Sequence, residues 1–410
     1  MRIIVTLCIM ISLLAIVSCS RLRTEGEIQR TEAEPAVATP KTKSPGRLST
    51  YDAEVSCLQK AKNAPAVLRH LWRTESLSNQ IKPAPEIDQY ALYLNLGGFV
   101  GIDLGTGELL WQYSGRQAGG SNIESSPRLI NGKLIAGTNS YAVIAIDPIT
   151  GEDIWIYPTG GWVQAPIQTD IESATAFVGA WDKKFHALDL GTGQGLWTFP
   201  ALSRIGSEAC VRGDYVYFAD AGTLVCLEKE TGKLISKFSL PRLPVSGPIA
   251  SGDESILVWC SDGFLYEILL QRRDSGFLEL VCHRRLRITG ERRSVQEGFP
   301  HCRHLWFGPN LVLLGDDGQL ACIDVSKWEM AWNLENLMLR GHPCDICAYG
   351  NEQMLVSSNE GWVTALRVKD GKALWEANLP GMYRPQIIYS NHRLYAVGAG
   401  DGVVCAYRLQ

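Results

Sequence analysis

The sequence predicts an all-β fold, namely an eight-bladed β-propeller of four-stranded antiparallel blades over residues 67–410. One motif recurs at a nearly fixed interval, short apolar runs lie between its copies, and an incomplete repeat stands at each end of this span. Periods of roughly 40 to 45 residues are typical of propeller blades. Short apolar runs bounded by Asn, Asp and Gly indicate antiparallel strands joined by tight turns.

The recurring motif is a small residue, Asp two positions later, Thr-Gly after three more, and Trp four positions after the glycine. It is clearest over 145–155 and 187–197, with a third copy over 101–111. Successive turn glycines lie 44 (107 to 151), 42 (151 to 193) and 39 (193 to 232) residues apart, and Trp328 holds the equivalent position in a weaker copy. We expect positive φ at the turn glycines, which are Gly107, Gly151, Gly193, Gly232 and Gly371. The motif aspartates should accept hydrogen bonds from their own turns, and these are Asp103, Asp147, Asp189 and Asp324.

The motif tryptophan is expected to fill the wedge between neighbouring blades. This assigns a structural role to Trp72, Trp111, Trp155, Trp197, Trp332 and Trp375. Ser236 replaces the tryptophan in one repeat, and a degenerate repeat near residue 280 hides another copy. Cys226, Cys322 and Cys405 are placed at the small position of the motif, where we expect buried thiols that act as small hydrophobes.

The two ends of the repeat region complete one blade together. Trp72 has no repeat in front of it, whereas residues 394–409 supply strands with no tryptophan strand behind them. Pairing of the N-terminal and C-terminal strands therefore closes the ring, and eight blades share residues 67–410 at 43 residues each. Closure removes exposed sheet edges, so a monomeric propeller is expected.

The N-terminus predicts export. Residues 1–18 combine Arg2 with a short apolar run, as in a signal peptide, and Ile16-Val17-Ser18-Cys19 matches the lipobox of bacterial lipoproteins. Cys19 is therefore the expected lipidation site, and acyl chains there would anchor the chain to a membrane. Residues 19–66 are rich in Glu, Thr, Pro and Lys and predict a disordered tether, with a short helix over 51–64. The expected location is the cell envelope, on the periplasmic face of the outer membrane.

Charge and motifs exclude several function classes. The formal net charge of −4 gives no general attraction to nucleic acid. The sequence contains no phosphate-binding glycine loop before a helix, no His-Glu-x-x-His and no Gly-x-Ser-x-Gly elbow. No set of catalytic residues is predicted.

The motif and its spacing resemble the PQQ-type propeller repeat over essentially all of 67–410. Two branches of that family matter: quinoprotein dehydrogenases, which hold PQQ and calcium on the propeller axis, and cofactor-free lipoproteins of the BamB type, which dock onto the outer-membrane β-barrel assembly machinery. The dehydrogenases carry large loops and an adjacent cysteine pair, whereas this chain has compact loops and no Cys-Cys. The resemblance therefore implies the cofactor-free branch.

Two clusters of potential ligands align at an offset of 41 residues, at the expected starts of neighbouring innermost strands. They are His301-Cys302-Arg303-His304 and His342-Pro343-Cys344-Asp345-Ile346-Cys347. Three readings stay open: a metal site built from His301, His342 and Cys344, a disulfide at Cys344 or Cys347, and ordinary packing. Residues three apart on a strand point to opposite faces, which argues against a shared site.

The insertion expected after the degenerate repeat is basic, with Arg284, Arg285, Arg287, Arg292 and Arg293. These side chains are either solvated or dock to an acidic protein surface or to anionic lipid headgroups.

Two functions remain from the sequence. The first is a non-enzymatic, lipid-anchored scaffold that binds envelope proteins, in outer-membrane β-barrel assembly, with no cofactor. The alternative is a PQQ-dependent, calcium-containing dehydrogenase or a small-ligand sensor that uses the axial channel.

Overall fold

The computed structural model describes residues 68–77, 86–89, 91–95, 98–113, 125–252, 255–290, 302–315, 317–334, 339–399 and 402–409. The predicted signal peptide, Cys19 and the tether with its helix lie outside these residues. Arg292, Arg293 and His301 also lie outside them. Within the described residues, no helix is long and apolar enough to span a membrane.

Within the described residues, thirty-two strands form eight four-stranded antiparallel sheets, as the sequence predicts. Blade 1 contains β2 (Glu86–Ile87), β3 (Ala91–Asn95), β4 (Phe99–Asp103) and β5 (Leu109–Gln112); blade 2 contains β6 (Arg128–Ile130), β7 (Lys133–Thr138), β8 (Ala142–Ile146) and β9 (Asp153–Pro158). Blade 3 contains β10 (Gln168–Asp170), β11 (Thr175–Gly179), β12 (Lys184–Asp189) and β13 (Gly195–Pro200); blade 4 contains β14 (Cys210–Arg212), β15 (Tyr215–Asp220), β16 (Thr223–Glu228) and β17 (Leu234–Ser239). Blade 5 contains β18 (Ile249–Ser251), β19 (Ser255–Trp259), β20 (Phe264–Arg272) and β21 (Leu278–Arg287); blade 6 contains β22 (Cys302–Phe307), β23 (Asn310–Gly315), β24 (Leu320–Asp324) and β25 (Glu329–Asn333). Blade 7 contains β26 (Pro343–Ala348), β27 (Gln353–Ser358), β28 (Trp362–Arg367) and β29 (Ala373–Asn378).

Blade 8 is built from both ends of the repeat region. It combines β30 (Gln386–Ser390), β31 (Arg393–Val397) and β32 (Val404–Leu409) with β1 (Leu68–Arg73) as its outermost strand. Leu68 lies opposite Leu409, and Trp72 lies opposite Ala406. The predicted closure of the ring is therefore confirmed.

In each blade the strands are called A to D from the innermost to the outermost. The A strands contact each other around the axis, as β10, β14 and β18 do in blades 3 to 5. The B and C strands are apolar and buried on both faces because neighbouring blades cover them, and all five residues of β8 are buried. Alternate turns fall on opposite faces of the ring. The B–C face therefore carries the B–C turns and D–A loops, and the C–D face carries the other turns.

The motif tryptophan joins each blade to the next. The ring of Trp155 packs on the turn glycine Gly193 of the following blade, and its Nε1 donates to the carbonyl of Leu190 at 3.2 Å. A Cβ on Gly193 would lie 2.5 Å from that ring, so only glycine fits. The same bond to a turn carbonyl is made by Trp72, Trp111, Trp197 and Trp332, at 3.2, 2.8, 3.0 and 2.6 Å. At these five junctions the tryptophan therefore bridges one blade to the turn of the next.

We call this contact between a motif tryptophan and the turn of the next blade the tryptophan lock. Blade 5 lacks it at the junctions on both of its sides. Between blades 4 and 5, the Ser236 hydroxyl accepts a hydrogen bond from the backbone nitrogen of Leu280 at 2.9 Å. Between blades 5 and 6, Arg284 holds the tryptophan position, Glu267 the small position opposite it, and Trp328 the turn-glycine position. The Arg284 guanidinium lies 4.3 Å from the centre of the Trp328 ring, and its Nε contacts the Glu267 carboxylate at 2.5 Å. Trp328 has a φ of 57°, the conformation that its turn position requires.

Most of the cysteine prediction is confirmed. Cys226 and Cys322 are buried opposite residues 236 and 332, as the small position requires. Cys405 is buried too, but its assignment to the small position is wrong because Ala406 lies opposite Trp72. Cys344 and Cys347 are free thiols rather than a disulfide. Burial raises the pKa of Cys344 to about 11.

Candidate protein-docking surface

A cluster of aromatic side chains lies on the B–C face of blades 2 to 4. Trp162 comes from the loop between blades 2 and 3, and Trp181 from the B–C turn of blade 3. Their ring centroids are 4.5 Å apart, and the Arg204 guanidinium lies 4.4 Å from the centre of the Trp181 ring. Tyr141 and Leu202 lie in neighbouring loops and are 52% and 70% exposed. We call these five residues the aromatic patch.

Asp182 accepts hydrogen bonds that hold the loop carrying Trp162. Its carboxylate accepts from the backbone nitrogens of Gly160 and Lys184 at 3.1 and 3.0 Å. The Trp181 backbone nitrogen donates to the carbonyl of Trp162 at 2.8 Å. Both tryptophans are therefore fixed by backbone contacts rather than by their side chains alone.

A buried network supports Asp182 from below. His186 Nε2 lies 3.2 Å from the Asp182 carboxylate, and His186 Nδ1 lies 3.3 Å from the hydroxyl of Tyr157 in the preceding blade. Burial opposes ionisation of Asp182, but the hydrogen bond and charge of His186 keep its pKa below the ordinary value. Burial raises the pKa of Tyr157. Asp182 therefore remains an ionised acceptor near neutral pH.

Asp220 holds the loop between blades 3 and 4 by accepting hydrogen bonds from its backbone. This carboxylate, at the end of β15 in blade 4, accepts from the backbone nitrogens of Leu202 and Ser203 at 2.7 and 2.9 Å. The Ser203 hydroxyl adds a third bond at 3.0 Å. Loops held in this way lose little conformational entropy when a partner binds, which favours recognition.

The aromatic patch has the composition of a protein-binding surface. Tryptophan, tyrosine and arginine are the side chains that most often dominate binding energy at protein interfaces. Sequence analysis missed these residues. The available signal was that Trp162 and Trp181 fall outside the motif position, so the repeat gives them no structural role.

The ring axis brings together charged residues from alternate blades. Arg128 on β6 forms an ion pair with Glu208, which precedes β14 two blades away. His304 on β22 lies near both, and burial lowers its pKa while Glu208 acts in the opposite sense. Arg303 forms an ion pair with the fully buried Asp345.

The proposed metal ligands do not converge among the described residues. Cys302 and Cys344 do lie on neighbouring A strands, as predicted. The Cys344 sulfur lies 3.2 Å from the Ser357 hydroxyl, and the His342 backbone nitrogen donates to Asn359. No group of three or more His, Cys, Asp or Glu side chains in the described part of the chain is arranged to hold a metal ion.

The predicted basic insertion is partly wrong. Arg284, Arg285 and Arg287 lie on strand β21, the outermost strand of blade 5, rather than in a loop. The degenerate repeat hid this strand because it lacks the motif tryptophan. Arg285 and Arg287 are exposed, whereas Arg284 is used in the junction with blade 6.

Eight four-stranded blades, tryptophan locks and Asp-x-x-Thr-Gly turns define a PQQ-type repeat β-propeller. The turn aspartates act as predicted, since Asp103 accepts from the backbone nitrogens of Gly105 and Thr106 at 2.8 and 2.7 Å. The chain belongs to the family described as outer membrane protein assembly factor BamB, whose model matches residues 46–180 and 182–273.

Individual relatives are distant. The outer membrane protein assembly factor BamB of Kangiella koreensis is 26% identical over 180 residues, which cover 42% of this chain and 45% of the relative. The chain thus spans less than half the length of that relative. The crystal structure of BamB from Moraxella catarrhalis has a TM-score of 0.59 and 18% identity, covering 84% of this chain and 98% of that chain. Quinohemoprotein alcohol dehydrogenase from Comamonas testosteroni has a TM-score of 0.58 and 14% identity, covering 83% and 76%. These two structures share the fold.

Proposed function

We propose that this protein is a non-enzymatic scaffold, anchored through Cys19, which binds envelope proteins on the B–C face during assembly of outer-membrane β-barrel proteins. The aromatic patch carries the proposal, because it places exposed aromatic and cationic side chains on loops that are already fixed. Family membership supports the assignment to outer-membrane protein assembly, since the matching family is described as an outer membrane protein assembly factor. The lipobox supports a location on the periplasmic face of the outer membrane.

The test is recovery of partners from crosslinked, detergent-solubilised envelopes with the tagged full-length chain. We expect components of the β-barrel assembly machinery to be recovered in stoichiometric amounts. The doubly substituted chain Trp162→Ala/Arg204→Ala should lose most of this recovery, because truncating central interface residues weakens binding by about 30-fold or more. Ile149→Ala is the matched control, since this side chain is 83% exposed on the opposite face.

Equal recovery by the patch variant and the Ile149→Ala control would refute the assignment of the B–C face. Recovery of no stoichiometric partner by the unchanged protein would refute the scaffold. In that case, addition of PQQ and calcium tests the alternative, because a ligand that binds only the folded state raises the melting temperature. Our proposal expects no such rise.

A further inference from the structure

The outer edge of blade 5 differs from that of every other described blade. Strand β21 is ten residues long, whereas the other outermost strands have four to six. Its sheet ends there, in the order β18-β19-β20-β21. An outermost strand offers backbone donors and acceptors along its open side, to which an extended segment can add.

Two arginines stand in fixed positions beside this edge. Arg285 and Arg287 are two residues apart and therefore project from the same side of β21. Their guanidinium groups lie 4.8 and 5.3 Å from the centre of the Phe264 ring. Both side chains are exposed to solvent. Stacking on one ring orders the two cations without neutralising either.

No acid in the described part of the chain forms an ion pair with Arg285 or Arg287. The carboxylate of Asp262, in the turn before β20, accepts from the Tyr266 hydroxyl at 2.5 Å and the Phe264 backbone nitrogen at 3.1 Å. Arg284, by contrast, is matched by Glu267. Two like charges on one strand face repel each other, so an anionic partner would relieve this repulsion.

We propose that the open edge of β21, with Arg285 and Arg287, is a docking site for an extended acidic segment of a partner protein. Carboxylates on alternate residues of a strand repeat every 6 to 7 Å or so, which matches arginines two residues apart. A protein segment fits better than a bilayer, because polybasic attraction to lipid uses clusters of about four to eight cations. This surface lies apart from the aromatic patch, so the failure of one proposal would leave the other unaffected.

Fluorescence anisotropy tests the proposal with the full-length protein in detergent. The probe is a labelled, end-capped nine-residue peptide that alternates Glu with Thr, and a second peptide replaces every Glu by Gln. We expect saturable binding of the Glu peptide, slower amide hydrogen exchange in residues 278–287, and about tenfold weaker binding by the double variant Arg285→Gln/Arg287→Gln. Arg69→Gln is the matched control, because Arg69 is an exposed arginine on the outermost strand of blade 8.

Equal binding of the Glu and Gln peptides, or unchanged binding by the double variant, would overturn the proposal. Self-association of the double variant with unchanged peptide binding would show that the arginines only protect an open edge. Binding to vesicles with 30 mol% phosphatidylglycerol, abolished in the double variant while the peptide fails to bind, would assign the surface to lipid and also overturn it. Circular dichroism of each variant checks that it folds.

Discussion

The junction between blades 5 and 6 predicts that three substitutions made together can convert it into the standard tryptophan junction. At the standard junctions a tryptophan packs on a turn glycine and faces a small residue, whereas here Arg284, Trp328 and Glu267 hold those three positions. If this set is an alternative lock, the triple substitution Glu267→Ala/Arg284→Trp/Trp328→Gly should restore the standard one. The new tryptophan would then donate to the carbonyl of Val325, as Trp155 does to that of Leu190.

The contacts at this junction give the expected loss in free energy of unfolding for each variant. Arg284→Ala removes a cation–π contact of about 1 kcal/mol and leaves the buried Glu267 carboxylate unpaired, for a total loss of about 3 kcal/mol. Glu267→Ala leaves a partly exposed Arg284 and should cost about 1 kcal/mol. Trp328→Gly loses ring packing but relieves about 1 kcal/mol of left-handed backbone strain, for a net loss of about 1 to 2 kcal/mol. The triple variant should lie within about 1 kcal/mol of the unchanged protein, although Arg284→Ala, Glu267→Ala and Trp328→Gly together cost about 5 to 6 kcal/mol as single substitutions.

The assay is urea denaturation followed by far-ultraviolet circular dichroism, with free energies taken from midpoints at a shared slope. A triple variant that loses as much as its three parts together would refute the exchange. Single variants that all fall within about 0.5 kcal/mol of the unchanged protein would show that the junction contributes nothing to stability.

Three further predictions concern the repeat itself. Gly193→Ala should lower stability by about 2 to 4 kcal/mol in the same urea denaturation assay, because a Cβ would meet the motif tryptophan at 2.5 Å with φ at +72°. The control Gly213→Ala, at positive φ with no atom within 4 Å of its Cβ, should cost about 1 kcal/mol. Cys322→Ala should cost about 1 kcal/mol or less, since other blades use alanine at this position, and a loss above 3 kcal/mol would contradict the assignment. The hydrogen bond from Lys327 holds the pKa of Asp324 at about 2, so its stabilising effect is complete above the ordinary value of 3.8 and disappears as the pH falls through about 2. The melting temperature of Asp324→Asn should therefore approach that of the unchanged protein between pH 4 and pH 2, and a constant difference would argue against the ion pair.

The fold was predictable because the repeat encodes it locally. The Asp-x-x-Thr-Gly turn, the tryptophan and the small residue opposite it each have one packing role, and six copies agree well enough to fix the number and order of blades. The closing strand was predictable for the same reason, since Trp72 lacks the strands that residues 394–409 supply. At blade 5 the degenerate repeat near residue 280 was correctly counted as a blade, but residues 284–287 were wrongly assigned to an insertion. Three motif positions differ together there, although the geometry remains.

The aromatic patch was not predictable in the same way. Trp162, Trp181 and Arg204 belong to three separate connections, and only the ring brings those connections side by side. Their supports are Asp182, in a B–C turn, and Asp220, at the end of β15. The partners of both carboxylates lie 17 to 22 residues away in preceding loops. The cluster of basic residues near 285 is evident in the sequence. Without the motif tryptophan, however, the strand that carries them could not be distinguished from a loop.

The composition of blade 8 has a consequence for the order in which the protein folds. Each of the first seven blades is a run of consecutive strands, so it can form as soon as its own segment is available. The last blade waits for β32, because its outer strand comes from the opposite end of the repeat region. A chain that lost residues 404–409 would retain seven complete sheets but leave β1 without its partner. Closure of the ring therefore requires a chain that extends as far as β32, because that strand supplies the partner of β1.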